Sequence, residues 1–147
     1  MSPSILLVPV APLPARPALD ALAARLADAF DRAVRVTDPV HAPAAARLEP
    51  DRLAAAPIRA AIAATWGCGC RDRLVGVTAA DLAGDGPPGP AGCGGVLLLS
   101  APGDAPLPGL VRAVGRSLGL ADCPDPGCAM HPGGDAPGLC RACRGRC

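Results

Sequence analysis

Apolar residues fall in short blocks separated by proline and glycine, and their spacing changes from block to block. Ser4-Ile-Leu-Leu-Val-Pro-Val10 is wholly apolar after its first residue and too short for a core helix, so it predicts a buried strand. From Pro17 to Ala33, Leu19, Leu22, Leu26 and Phe30 recur every three or four residues. Asp20, Arg25, Asp28 and Arg32 fill the other positions, the pattern of an amphipathic helix with proline in its first turn. Val34 to Thr37 predicts a second strand, stopped by Asp38-Pro39. His41 to Leu53 has the mixed pattern of a loop, and a helix from Pro57 to Thr65 keeps proline where a missing N–H costs nothing. Leu74 to Thr78 and Val96 to Ser100 predict a third and a fourth strand. The intervening Asp81 to Gly95 carries six glycines and three prolines and is expected to be loop. Leu110, Val111, Val114 and Leu118 place a third helix between Leu107 and Leu120, and Ala121 to Cys147 has almost no apolar periodicity.

This order predicts an α/β fold, a small mixed sheet with about three helices. It predicts one domain over 1–147, with a core of residues 1–120 and a cysteine-rich tail of 121–147. At 147 residues a chain buries roughly two thirds of its unfolded surface, so a real core is expected. Only 1% of residues are aromatic, which leaves Ala, Val, Leu and Ile to build that core. Fourteen arginines, no lysine, one glutamate and twelve aspartates give a net charge of +1. That balance argues against a general nucleic-acid or anionic-membrane surface, both of which need a basic excess. The first cation is Arg16 and no cleavage site follows a long apolar run, so no signal peptide is expected. No apolar stretch approaches the roughly 20 residues of a membrane span. The expected location is the cytoplasm, where eight cysteines point to metal ligands or free thiols rather than disulfides.

Cys123-Pro-Asp-Pro-Gly-Cys128 and Cys140-Arg-Ala-Cys143 are two close pairs with eleven residues between them, the spacing for one tetrahedral Zn²⁺ held by four thiolates. Four protein ligands leave no open position, so such an ion is structural and not catalytic. The tail buries too little apolar surface to order itself, and the ion supplies roughly 10–16 kcal/mol toward that ordering. Cys147 is an alternative fourth ligand. Cys68, Cys70 and Cys93 fit either a second metal or redox site or plain thiols, with one residue between Cys68 and Cys70 tight for chelation. His41 and His131 stand alone in sequence; His131 is close enough to the cluster to ligate it or to orient a ligand.

The stretch Arg112-Ala-Val-Gly-Arg116-Ser-Leu-Gly119-Leu-Ala-Asp122-Cys123, then Cys128-Ala-Met130 and Cys140-Arg-Ala-Cys143, resembles the archaemetzincins. These are small zinc peptidases of the metzincin clan, with the pattern H-E-x-x-H-x-x-G-L-x-H followed by C-x₄-C-x-M and C-x-x-C. Leu74-Val-Gly-Val-Thr-Ala-Ala-Asp-Leu82 and Ile5 to Val10 are similar to the family's upstream segments, so the resemblance covers most of the chain, with a shorter connection from Met130 to Cys140. It implies a metzincin-like fold, a structural zinc on Cys123, Cys128, Cys140 and Cys143, a helix-ending turn at Gly119, and Met130 in the turn beneath the active site.

The catalytic positions differ. Arg112, Arg116 and Asp122 stand where the family has zinc-binding histidines, and Ala113 stands where it has the general-base glutamate. Residues four apart share a helix face, which lets two histidines grip one metal; two guanidiniums there have no lone pair to give. The expectation is an Arg–Asp pair in place of the metal, the alternative being arginines turned to solvent. Three functions follow: a catalytically inactive scaffold that binds a peptide along Val96 to Ser100, with the arginine face favouring an acidic peptide or a C-terminal carboxylate; a peptidase with a displaced site using His41, His131 or the extra cysteines; and a thiol-redox or metal-handling protein. A designed imitation of the family is a fourth origin for such a chain.

Overall fold

The structure is a computed structural model that describes residues 4–66, 72–84, 96–101, 103, 109–133 and 136–146. Cys68, Cys70, Cys93 and Cys147 lie outside these residues, as do most of the glycine-rich 81–95 stretch and the expected start of the third helix at Leu107.

Ile5–Val10 forms β1, every residue of it buried. It lies inside a four-stranded parallel sheet with β2 (Val34–Val36) on one side and β5 (Arg73–Thr78), then β7 (Val96–Ser100), on the other. A strand covered on both faces has no polar side, which is why β1 is an unbroken apolar run. In register, Leu7 pairs with Val75 and Val75 with Leu97, and these face one cluster; Leu6, Leu74 and Val96 face the other.

α1 (Arg16–Phe30) makes the crossover from β1 to its parallel neighbour β2 and buries Leu19, Leu22, Leu26, Ala29 and Phe30 on the first face. Burying each large side chain of that stripe is worth about 1.5–3 kcal/mol. The helix stops at Phe30, short of Ala33, because Asp31 turns into the left-handed region at φ 51°. α2 (Ala55–Trp66) covers the opposite face with Ile58 and Ile62. It begins two residues before Pro57, which still falls in the first turn.

Two segments expected to be loop are strands. β3 (Arg47–Glu49) runs antiparallel to β4 (Arg52–Ala54), and β4 runs parallel to β6 (Asp81–Ala83), giving a second, three-stranded sheet. Among the described residues, the antiparallel pairing sits there. Strands of three residues are too short to show an alternating pattern, and pairing across the fold creates them. No helix among the described residues is long and apolar enough to cross a membrane.

Gly76 in β5 leaves room for side chains of α2 and β7 to pack against the strand. A Cβ there would stand 2.5 Å from Leu98 Cδ2 and 2.9 Å from Ile62 Cδ1. Valine at position 76 would force two packed side chains aside, and Gly76→Val is expected to cost about 1–3 kcal/mol, read as a lower denaturant midpoint with an unchanged slope.

Candidate metal centre and the adjoining arginine pair

α3 (Leu110–Ser117) lies on the same sheet face as α1 and buries Leu110, Val111, Val114 and Ser117. Its last turn closes through Leu118 N–H to the Val114 carbonyl at 3.0 Å and Leu120 N–H to the Gly115 carbonyl at 2.9 Å. Gly119 sits between them at φ 92°, a conformation glycine adopts without steric cost. Leu120 then returns to the core, and three residues later the chain reaches Cys123.

Ser117 has a partner that the sequence did not disclose. Arg73, at the start of β5 and only 6% exposed, donates from Nε to Ser117 Oγ at 3.2 Å, and Ser117 Oγ donates to the Val114 carbonyl at 2.7 Å. Burial lowers the Arg73 pKa. The cation lies at the C-terminal end of α3, where the carbonyl ends of the helix favour positive charge. An arginine opening a strand gives no signal of this in sequence.

The cysteine tail folds as two tight loops. Asp125 accepts the Gly127 N–H at 2.9 Å on Oδ1 and the Cys128 N–H at 3.0 Å on its carbonyl, which bends Cys123 and Cys128 toward each other. Cys123 N–H donates to the Met130 carbonyl at 3.0 Å, and Ala129 N–H to the Gly138 carbonyl at 2.8 Å. α4 (Arg141–Arg144) begins immediately after Cys140 and delivers Cys143 from its first turn. The sulfurs of Cys123, Cys128, Cys140 and Cys143 all lie within 4.8 Å of one another, with Cys123 and Cys140 at 3.8 Å, and none is in a disulfide.

Four sulfurs each 2.3 Å from a tetrahedral zinc stand about 3.8 Å apart, so the cluster fits that ion. The donor set is soft and closed, with no position left for water. Among the described residues it is the one group of His, Cys, Asp or Glu able to hold a metal. His131 is not a ligand: its Nδ1 lies 3.0 Å from the Cys123 carbonyl, so a protonated Nδ1 donates to it and steadies the loop. His41 is exposed in the segment after β2, away from any such group.

The thiols do not share one acidity. The Cys143 backbone N–H draws Cys140 down to about 7, whereas burial, followed by the neighbouring sulfurs, pushes Cys143 up to about 12. Several thiolates cannot coexist in so small a space without a cation.

Met130 is fully buried beneath α3. A Cβ at position 115 would stand 2.5 Å from its Sδ, so glycine at 115 is what lets the methionine press against the helix backbone. On the outer side of α3, Arg112 and Arg116 both turn onto one carboxylate. Arg112 Nη2 donates to Asp122 Oδ1 at 3.0 Å and Arg116 Nη2 to the same oxygen at 2.8 Å. Hydrogen bonds from Arg116, then Arg112, hold the Asp122 carboxyl below its usual range. The pair therefore persists above the ordinary carboxylate pKa and is lost only as pH falls through that lowered value. Ala113 is half-buried against the core. Of the two arrangements open from the sequence, the structure shows the pair.

Zinc binding displaces the protons still held by the cluster, so uptake is expected to release protons at pH 7.5 and to weaken steadily as the pH is lowered from there, more steeply below about 7, where Cys140 is protonated as well. Proton release measured by calorimetry in buffers of different ionisation enthalpy checks this, and Cys128→Ser is expected to lower the zinc content below one per chain.

No protein-family model matches the sequence, and no curated protein matches it. Solved structures do match in shape. The archaemetzincin of Archaeoglobus fulgidus, complexed with malonate, superposes with a TM-score of 0.63 at 16% identity, over 98% of this chain and 99% of that one. The archaemetzincin of Methanopyrus kandleri gives 0.56 at 20% identity, over 97% and 92%. A zinc-dependent peptidase of Methanocorpusculum labreanum gives 0.65 at 15% identity, over 97% and 98%. With its four cysteines gathered to hold zinc, this chain has the fold of the archaemetzincins.

Proposed function

We propose that this protein is a zinc-stapled archaemetzincin scaffold that has lost peptidase chemistry and works by recognising a peptide or protein segment. The observation that carries the reading is the closure of Arg112 and Arg116 on Asp122. A hydrolytic zinc needs lone-pair ligands and an adjacent carboxylate to deprotonate its water. Here the two helix positions that would face such an ion present cations without lone pairs, the third candidate ligand is engaged by both of them, and the base position is Ala113. The structural ion on the cysteines offers no substitute, because its coordination is complete.

A recognition surface remains. β7 is an edge of the four-stranded sheet among the described residues, paired with β5 on one side only. A strand edge binds an extended segment through backbone hydrogen bonds and needs no catalytic group.

The purified protein is expected to hold one zinc per chain by elemental analysis and to cleave a mixture of fluorogenic peptides no faster than its chelator-treated form. Two zinc ions per chain together with chelator-sensitive cleavage would overturn the reading. Replacing Arg112→His, Ala113→Glu, Arg116→His and Asp122→His together is expected to raise the stoichiometry from one zinc to two, which shows that the helix and its supporting methionine still form a metal-ready frame.

A further inference from the structure

We infer that Arg112 and Arg116 form a carboxylate-binding site whose own loop keeps it occupied, with Asp122 standing in for the carboxylate of an external ligand. The inference rests on the reading that no catalytic metal sits on this face of α3.

Three observations support it. Two guanidiniums four residues apart converge on a single oxygen, at 3.0 and 2.8 Å, so the fork donors already point at the place a carboxylate oxygen takes. The trio carries two positive charges against one negative, so filling the site with Asp122 leaves it one charge short of neutral. Arg112 Nε is buried and has no hydrogen-bond partner, although a guanidinium offers five N–H donors and Asp122 takes only one from this arginine. Arg112 is also the better held of the two, with 26% of its side chain exposed against 46% for Arg116. Asp122, at 49%, can swing toward solvent without opening the core.

The position of Asp122 is imposed from both ends. Leu120 is tied to the Gly115 carbonyl, and Cys123 belongs to the metal cluster, leaving two residues to span the gap. An internal group tethered this closely competes at high effective concentration, and a ligand must displace it. If Asp122 occupies the arginines nine-tenths of the time, an external carboxylate binds about tenfold more weakly than to the open pair.

The ligand class is a carboxylate, and its two sources are a peptide C-terminus and a small dicarboxylate. The test compares the wild-type protein, Asp122→Ala and Asp122→Ala with Arg116→Gln, each confirmed to retain one zinc per chain. Succinate and a short apolar peptide with a free C-terminus are titrated into each and followed by calorimetry and by arginine side-chain NMR shifts. Asp122→Ala is expected to bind at least one of these probes about tenfold more tightly than the wild type, and adding Arg116→Gln is expected to abolish the gain. Amidating the C-terminus is expected to remove any peptide binding. Equal affinity of wild type and Asp122→Ala, no binding of either probe to Asp122→Ala, or undiminished binding of an amidated peptide would each overturn the inference. Because every variant is assayed with one zinc bound and without peptidase readout, these results are separable from the discovery of a second metal or of hydrolysis.

Discussion

The C-terminal segment depends on bringing four sulfurs to one point. Its apolar contributions to the core are few, chiefly Leu120, Met130 and Leu139, and the loops between them are held by isolated backbone hydrogen bonds rather than by a sheet or a long helix. Neutral thiols are weak donors and weaker acceptors, so they do not hold such loops by themselves. The same burial that drives the Cys143 pKa upward penalises thiolate only while no cation is near; beside a divalent ion, the low local dielectric strengthens the attraction instead. The geometry that makes this cluster unfavourable for free thiolates makes it favourable as a zinc site.

From that point the order passes to the helix. Cys128, Met130 and Cys143 belong to the same buried cluster as Leu110, Val111 and Val114 of α3, and Met130 touches the helix at Gly115. The helix is thus held from three sides: by the sheet through Arg73 and Ser117, by the methionine beneath Gly115, and by the short return through Leu120 to Cys123. Arg112 and Arg116 stand on a platform that cannot easily rotate. A salt bridge between exposed side chains on mobile supports contributes little, but here the supports are fixed, so the pair costs less entropy to form and serves position more than stability.

The apolar strands, the α1 stripe and the cysteine spacing were all legible in sequence, each for a physical reason. β1 is buried on both faces and so has no polar residues to confuse the pattern, α1 keeps a helical period over fifteen residues, and thiolate pairs at chelating distance have few other uses. The second sheet was not legible, because strands such as Arg47–Glu49 have only three residues and exist through pairing with distant chain. Asp31 ends α1 early through a left-handed turn that an aspartate does not announce. Arg73 was invisible for the opposite reason: a charged residue is assumed to be wet, and only the three-dimensional fold shows the serine and the helix end that receive it.

On the proposed reading, electrostatics explains how this fold tolerates arginines where the resemblance implies zinc ligands. The resemblance places a divalent cation against this face of α3, and the surrounding structure must then accommodate two positive charges. Arg112 and Arg116 supply the same total, fixed covalently and independent of metal supply. Asp122 answers them as it would answer an ion, through its oxygen rather than through any particular partner. What changes is the chemistry that the charge can do. A metal polarises and acidifies a water molecule because it accepts that water's lone pair, whereas a guanidinium only donates hydrogen bonds. On the proposed reading, the face keeps its sign and its capacity to attract an anion while giving up the means to activate water, so that binding and hydrolysis, joined in a peptidase, would be separable properties of one helix.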